Sequence, residues 1–159
     1  MKKRGLFALA PVAAAIAIAG CGGGSKTQTT PAQAGSGGTV VALHHSQLGT
    51  FLSDAKGRTL YLFEADKGVM STCYSACASV WPPLTSTGTV TARAGVNASL
   101  LGSTKRKDGS VEVTYKGHPL YYYAADSVPG QTAGQGLNQF GAKWYVLAAN
   151  GNKIDDDAR

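Results

Sequence analysis

The sequence predicts a mainly β fold: two tandem hairpin-centred repeats packed as one small domain, with one short helix or helical turn. Three observations carry that reading. The first is a stretch written twice, Gly-Arg-Thr-Leu-Tyr-Leu-Phe-Glu-Ala-Asp at 57–66 and Gly-His-Pro-Leu-Tyr-Tyr-Tyr-Ala-Ala-Asp at 117–126. Each copy is followed by a Trp with a Leu three residues on, Trp81 with Leu84 and Trp144 with Leu147. Self-similarity on this scale marks an internal duplication. The second is turn chemistry ahead of each copy, Asp54-Ala55-Lys56-Gly57 and Lys116-Gly117, with a further Asp108-Gly109 between two strand-like runs. Such dipeptides supply the positive-φ positions that tight hairpins need. The third is alternation within the repeated stretch. Leu60 and Leu62 fall on one face of an extended strand and Tyr61 and Phe63 on the other, so both faces are expected to be covered.

The leading residues point to export. Lys2, Lys3 and Arg4 precede an apolar run over 6–19 that ends in Ile18-Ala19-Gly20-Cys21, the layout of a secretory signal. The run is shorter and richer in small residues than a membrane-spanning helix, which needs ~20 apolar residues. The arrangement resembles bacterial lipoprotein signals, in which the Cys thiol receives a diacylglyceryl group and the chain is cut before it. Residues 1–20 are then a lipoprotein signal peptide and Cys21 a lipidated first residue. Several acyl chains on one residue hold a protein stably at a bilayer, each buried methylene contributing ~0.8 kcal/mol. Residues 21–38 have the composition of a flexible Gly/Ser/Thr linker. The two-repeat domain is expected over 39–154, with repeat 1 at about 48–84, repeat 2 at about 101–147 and a polar tail at 155–159.

The formal net charge of +6 owes three cations to the leader. Without residues 1–20, twelve Lys and Arg face nine Asp and Glu, a net +3. No basic stripe interleaved with aromatics remains, so nucleic acid is not an expected partner. With Cys21 assigned to lipid, Cys73 and Cys77 form an even pair in a compartment that permits disulfides. An extended chain would separate their α-carbons by ~13 Å and one helical turn by ~6 Å, so a bridge requires a tight loop or a helical turn over 70–78.

In chain order, 39–43 and 50–53 read as short strands, with His44-His45-Ser46-Gln47 breaking the pattern between them. The repeat strand follows and closes at Asp66, whose carboxylate suits an exit turn. Trp81-Pro82-Pro83-Leu84 is an extended cover or edge, since consecutive prolines donate nothing to a central ladder. Residues 85–94 look like a crossing between repeats, and 94–101 like one short helix. Runs 104–107 and 110–115 flank Asp108-Gly109, giving a three-stranded meander with the second repeat strand. Val128-Pro129-Gly130 suits a type II turn, 143–147 is a last strand, and 150–159 is expected to be loose.

With these residues in view, the chain resembles a family of predicted bacterial lipoproteins named for a repeated Tyr-x-aromatic-x-x-Asp motif, also called a secreted repeat of unknown function. Tyr61-x-Phe63-x-x-Asp66 and Tyr121-x-Tyr123-x-x-Asp126 match the motif. Ser71-x-Cys73-x-x-x-Cys77-Ala78-x-x-Trp81-Pro82-Pro83-Leu84 in the first copy is similar to the rest of the pattern, as are Pro129-Gly130, Gly134-Gln135-Gly136 and Trp144 in the second. The resemblance covers about 40–150. It implies an extracytoplasmic, two-repeat domain and brings no activity, catalytic residue or cofactor.

The candidate chemistries are accordingly few. Cys73 and Cys77 are expected to form a structural disulfide, worth ~2 kcal/mol for so short a loop. The alternative is a redox or copper-handling site, with Met70, His44 and His45 adding soft and imidazole donors. Asp66 and Asp126 could converge as a carboxylate pair of the kind glycosidases use, although strand-end Asp residues usually form turns. Tyr61, Phe63, Tyr121, Tyr122, Tyr123 and Trp144 either stack sugars or fill the core. Lys105, Arg106 and Lys107 read as a solvated hairpin or a lipid-headgroup contact. The expectation that follows is a membrane-anchored extracytoplasmic lipoprotein acting as a non-enzymatic binding or envelope-interaction module. It needs no cofactor, and an envelope protein or glycan is its expected partner.

Overall fold

The structure is a computed structural model and describes residues 38–155. The expected leader, Cys21, the linker up to residue 37 and residues 156–159 lie outside the described residues. In chain order the strands are β1 (Thr39–Ser46), β2 (Gly49–Asp54), β3 (Tyr61–Phe63), β4 (Val90–Ala92), β5 (Leu101–Lys105), β6 (Val111–Tyr115), β7 (His118–Pro119), β8 (Asn138–Gln139) and β9 (Ala142–Val146). One short helix, α1 (Ala76–Val80), and a 3-10 turn at Ala98–Leu100 complete the fold. The strands form three small sheets, ordered β2-β1-β4, β3-β9-β8 and β5-β6-β7.

The hairpins follow the turn chemistry of the sequence. Asp54 Oδ1 accepts the N–H groups of Lys56 and Arg58 at 2.8 and 3.0 Å, and Gly57 takes φ +81° to close the turn. At the matching place in the second copy, Lys116 and Gly117 both adopt positive φ, +50° and +81°, and Tyr115 pairs with His118. Primed two-residue turns of this kind match the twist of antiparallel strands. The meander β5-β6-β7 and the Val128 to Gln131 turn form as expected, the Gln131 N–H donating to Val128 C=O at 3.2 Å.

Four local expectations are corrected. His44 and His45 do not break the first strand but lie within β1, opposite Phe51 and Thr50. The imidazoles are accommodated because His45 Nδ1 meets Thr50 Oγ1 at 2.8 Å and the His44 ring packs 5.5 Å from that of Phe51. The crossing segment contains β4, which adds in parallel to the free edge of β1. The helix expected over 94–101 shrinks to one 3-10 turn, which Asn97 starts by accepting the Ser99 N–H at 3.0 Å. Residues 150–155 are ordered: Ala148 N–H donates to Asn152 C=O and Ile154 N–H to Val146 C=O, at 2.8 and 2.9 Å.

Both faces of the repeated strand are buried, as its alternation predicts. Leu60 and Leu62 pack with Val41, Leu52, Leu84, Val113, Leu120 and Leu147 in one apolar cluster. Tyr61 and Phe63 belong to a second cluster with Phe51, Cys73, Cys77, Trp81, Tyr121, Trp144 and Val146.

The two repeats exchange their tails. Strand β3 pairs not with the end of its own repeat but with β9, in the register Tyr61 to Val146, Leu62 to Tyr145 and Phe63 to Trp144. The second copy pairs in the same register with the end of the first: Leu84 N–H donates to Leu120 C=O, Tyr122 N–H to Pro82 C=O and Ala124 N–H to Val80 C=O, at 2.7, 2.8 and 2.9 Å. Between the two copies, Tyr61 and Tyr121 exchange backbone hydrogen bonds of 2.9 and 3.0 Å. The prolines fit this strand because the carbonyls at 82 and 84 and the N–H of Leu84 carry the ladder. Register brings each Trp against the motif aromatic of the other repeat. Phe63, Trp144, Trp81 and Tyr123 stack in sequence, with centroid separations of 4.0, 3.9 and 4.3 Å.

A half-molecule therefore lacks both the strand partner and the stacking partner of its central strand. We expect separate polypeptides 38–97 and 98–155 to show no near-UV circular dichroism alone and to regain the signal when mixed. A native-like spectrum from either half alone would refute the exchange.

Candidate functional site

The duplicated motif builds a crossed pair of hydrogen bonds. Tyr61 O–H donates to Asp126 Oδ2 at 2.6 Å, and Tyr121 O–H donates to Asp66 Oδ2 at 2.7 Å. Each tyrosine thus bonds the aspartate of the other repeat. The second oxygen of each aspartate holds its own exit loop: Asp66 Oδ1 accepts from the Thr72 N–H at 2.7 Å, and Asp126 Oδ1 from the Ala133 N–H at 3.0 Å. Burial pushes both carboxyls above their ordinary range, while these donors work in the opposite direction. Burial, and then the facing carboxylates, push both phenols up as well, so they serve as donors. Asp66 and Asp126 are turn-formers that also tie the repeats together, and they open into two different clefts.

The exit loops, stapled in one copy and Gly-rich in the other, do the same work. In the second copy, Gly134 donates its N–H to the Tyr61 hydroxyl at 3.3 Å. A Cβ at Gly134 would lie 2.6 Å from the Trp81 ring, so only glycine allows the loop this close. In the first copy, Ser71 Oγ stands 2.7 Å from the Tyr121 hydroxyl. The Cys73–Cys77 disulfide, with α-carbons 5.2 Å apart, is buried beside the aromatic cluster, Cys77 lying in α1. Gln139, in the tip of the β8–β9 hairpin, closes the stack. Its side-chain oxygen accepts from Trp81 Nε1 at 2.9 Å and its carbonyl from Trp144 Nε1 at 3.2 Å.

Arg106 departs from its expected place on a solvated hairpin. It is 4 % exposed and reaches from the second repeat into the Cys loop. Its guanidinium donates to Glu112 Oε2, Cys73 C=O and Ser71 Oγ at 2.6, 2.6 and 2.8 Å, and it lies over the Tyr74 ring. Glu112 is fully buried and its other oxygen, Oε1, has no partner. A lone Glu in the strand pattern of β6 and an Arg flanking Asp-Gly gave no warning of this pair. The alternation of β6 argues the other way, since Glu112 and Thr114 fall on the face opposite Val113 and Tyr115, yet all four are buried.

Two clefts open at equivalent places in the repeats. The wider, about 430 Å³, is lined by Leu62, Phe63, Glu64, Asp66, His118 and Lys153 among others. The narrower, about 140 Å³, is lined by Tyr122, Tyr123, Ala124, Asp126, Arg58 and Pro82 among others. Positions 62, 63, 64, 66 and 118 of the one correspond to 122, 123, 124, 126 and 58 of the other. In the narrow cleft the Arg58 guanidinium lies 3.9 Å over the Tyr122 ring and its Nε donates to Asp54 at 2.9 Å. Burial alone would raise Asp54, but the Arg58 and Lys56 donors outweigh it and hold the carboxyl low. In the wide cleft, burial and then Lys116 push His118 down, so it is neutral near pH 7. Lys153 is held between Glu64 at 2.8 Å and Asp155 at 2.9 Å.

The structure therefore uses Tyr61, Phe63, Tyr121, Trp81 and Trp144 as core, each at most 4 % exposed, and leaves Tyr122 and Tyr123 half-buried. The aromatic set is no open stacking platform. Met70 is exposed on a turn, His44 and His45 lie on β1, and both cysteine sulfurs are in the disulfide. Among the described residues no group of three or more His, Cys, Asp or Glu is arranged to hold a metal ion. The clefts themselves were not legible, because each joins residues far apart in sequence, Leu62 to Asp66 with His118 and Lys153 in one and Arg58 with Pro82 and Tyr122 to Asp126 in the other.

Glu112 gives the fold a pH signature. Burial raises its pKa from 4.5 to about 7, against the pull of Arg106. The folded state keeps a proton that the unfolded chain releases between those values, so this contribution to stability declines as pH rises through the window and is flat above it. Asp66 and Asp126 shift in the same direction, the lowered Asp54 and Asp108 act only below 3.8, and the lowered His118 works the opposite way just below 6.5 but by less than Glu112. We expect the melting temperature to fall as pH rises from about 5 to about 7.5. Glu112→Gln, which keeps an acceptor oxygen for Arg106 and cannot titrate, should flatten that slope, and an unchanged slope would exclude Glu112 as its source.

Among the described residues no helix is long and apolar enough to cross a membrane. No curated protein and no solved structure matches the chain. A family model does, over residues 43–85 and 102–148, the two segments that carry the crossed Tyr–Asp bonds and the stacked tryptophans. The chain belongs to the Lipoprotein_15 family, a secreted repeat of unknown function.

Proposed function

We propose that this protein is a lipid-anchored, non-enzymatic binding module of the cell envelope. It is tethered through Cys21, and the wider cleft receives a small ligand. The observation that supports the reading best is the difference between the clefts. In a duplicated scaffold, one copy of the cleft is closed by its own side chains, Arg58 lying on Tyr122, while the other is left about three times larger in volume. Its volume falls in the range of small-molecule sites, ~300–1,000 Å³.

The signature residues support a scaffold over a catalyst. Each motif Tyr and Asp is already bonded inside the fold, and the phenols are held protonated, so neither is poised to attack or to shuttle a proton. The anchor reading rests on the layout Ile18-Ala19-Gly20-Cys21 after a cationic start. The spacer that follows would let the domain range over roughly a few tens of ångströms from the bilayer.

Amide NMR spectra of the protein titrated with muropeptides, neutral oligosaccharides, polyamines and amino acids test the binding role. We expect at least one class to shift Asp66, His118, Asn152 and Lys153 together and to be recovered chemically unchanged. Shifts that avoid the cleft for every class would exclude it as the binding site, and a modified compound would exclude a non-enzymatic role. The anchor is tested separately: Cys21→Ser should abolish acyl labelling and globomycin-sensitive processing, and labelling that survives would remove it.

A further inference from the structure

We propose that the wide cleft takes an organic cation, a guanidinium or primary ammonium group carried by its ligand, set against Asp66 with Glu64 at the rim. The inference rests on the reading of that cleft as the binding site and names the class of ligand.

The twin cleft shows what the scaffold places in this position. There Arg58 of the chain itself supplies a guanidinium, set over the Tyr122 ring at 3.9 Å and bonded to Asp54 at 2.9 Å. In the wide cleft the matching residue is His118, shorter and uncharged near neutrality, and Leu62 replaces the Tyr122 ring. The Arg58 guanidinium has no counterpart at this place, and Thr114 stands where Asp54 holds it, so the carboxylates of the wide cleft come from two other positions, one of them bonded to Lys153. Asp66 stands where Asp126 stands, and Glu64 replaces Ala124.

The charges around the cleft favour the same sign of ligand. Lys153 is taken up by Glu64 and Asp155 together. Lys116 lies at the edge with its ammonium donating to Asn152 Oδ1 at 2.6 Å. Glu64, Asp66 and Asp155 therefore outnumber the two lysines. Asp66 receives its three hydrogen bonds from neutral donors, the Thr72 N–H and hydroxyl and the Tyr121 hydroxyl. A charge-assisted bond to a bound cation would be stronger than any of these. Leu62 and Phe63 supply an apolar wall for the methylenes that carry such a group.

The test compares N-acetyl-arginine methylamide with its citrulline counterpart, which keeps the shape and loses the charge, on the full-length protein by calorimetry and amide NMR. The arginine compound should bind with shifts at Asp66, His118 and Glu64, and the citrulline compound about tenfold or more weaker. His118→Arg, which puts a guanidinium of the chain itself at the position Arg58 holds in the twin cleft, should abolish binding with an unchanged circular dichroism spectrum. Glu64→Gln, at a half-exposed side chain, should weaken binding without touching the core. Equal binding of the two compounds would overturn the cation assignment and leave the cleft as a binding site, and so would full binding by a folded His118→Arg. Failure of both compounds to bind would also overturn it, while the broader panel of ligand classes decides separately whether the cleft binds anything.

Discussion

The face-to-face contact of Trp81 and Trp144, 3.9 Å apart and 3° from parallel, is the constraint from which the rest of the molecule follows. Each indole comes from the tail of one repeat and stacks outward on the motif aromatic of the other, so the four-ring column exists only when the tails have crossed. The crossing sets the register of β3 on β9, and that register brings Tyr61 and Tyr121 to the point where the copies meet. A large buried aromatic contributes ~2–3 kcal/mol through area alone, and ring pairs add ~0.5–1.5 kcal/mol. The stack is thus large beside the ~5–15 kcal/mol of a typical domain. Its polar edges are closed as buried polar groups require, with both indole N–H groups donating to Gln139.

The price of this centre is polar burial. Tyr61, Tyr121, Ser71, Arg106 and Glu112 all sit inside or against the aromatic cluster, and the two aspartates reach it from the loop starts. The Tyr–Asp pairs resolve the problem reciprocally, each carboxylate holding its own loop with one oxygen and the opposite strand with the other. The Arg106–Glu112 pair resolves it less fully and leaves Glu112 Oε1 unmatched. Breaking a buried pair is far more costly than never having had one, so Arg106 acts as a lock between the second hairpin and the Cys loop. The disulfide and Arg106 fix the same loop from two sides, since Arg106 donates to the carbonyl of Cys73 itself.

What could be read from the sequence was what local chemistry decides. Alternation gave both faces of the Leu60 to Phe63 strand. Gly57, Gly117 and Gly109 placed the hairpins, and four-residue spacing placed a helical turn at Cys77. What could not be read was which strand each repeat tail would join. Phe63 pairs as well, by composition, with Trp81 as with Trp144, and only closure of the whole domain selects the second. For the same reason the hydrogen bonds of Asp66 could be foreseen as a turn, but not the tyrosine that completes them. His44 and His45 show the opposite failure. Their polarity suggested a break, whereas pairing with Phe51 and Thr50 across the hairpin keeps the strand running.

Duplication also separates what the fold needs from what it leaves free. Gly, Leu, Tyr, the stacked aromatic and Asp recur in both copies because each has a contact in the shared centre: a turn, a core face, a crossed bond or a stack. At other positions that line the clefts the copies differ, with Leu62 against Tyr122, Glu64 against Ala124 and His118 against Arg58. If those differences were neutral, the two clefts would be expected to differ without pattern. Instead one set closes its cleft with a cation on an aromatic ring, and the other leaves its cleft open with Glu64 and Lys153 at its edge. The repeated motif is therefore the frame, and the departures from it are where a ligand would be chosen.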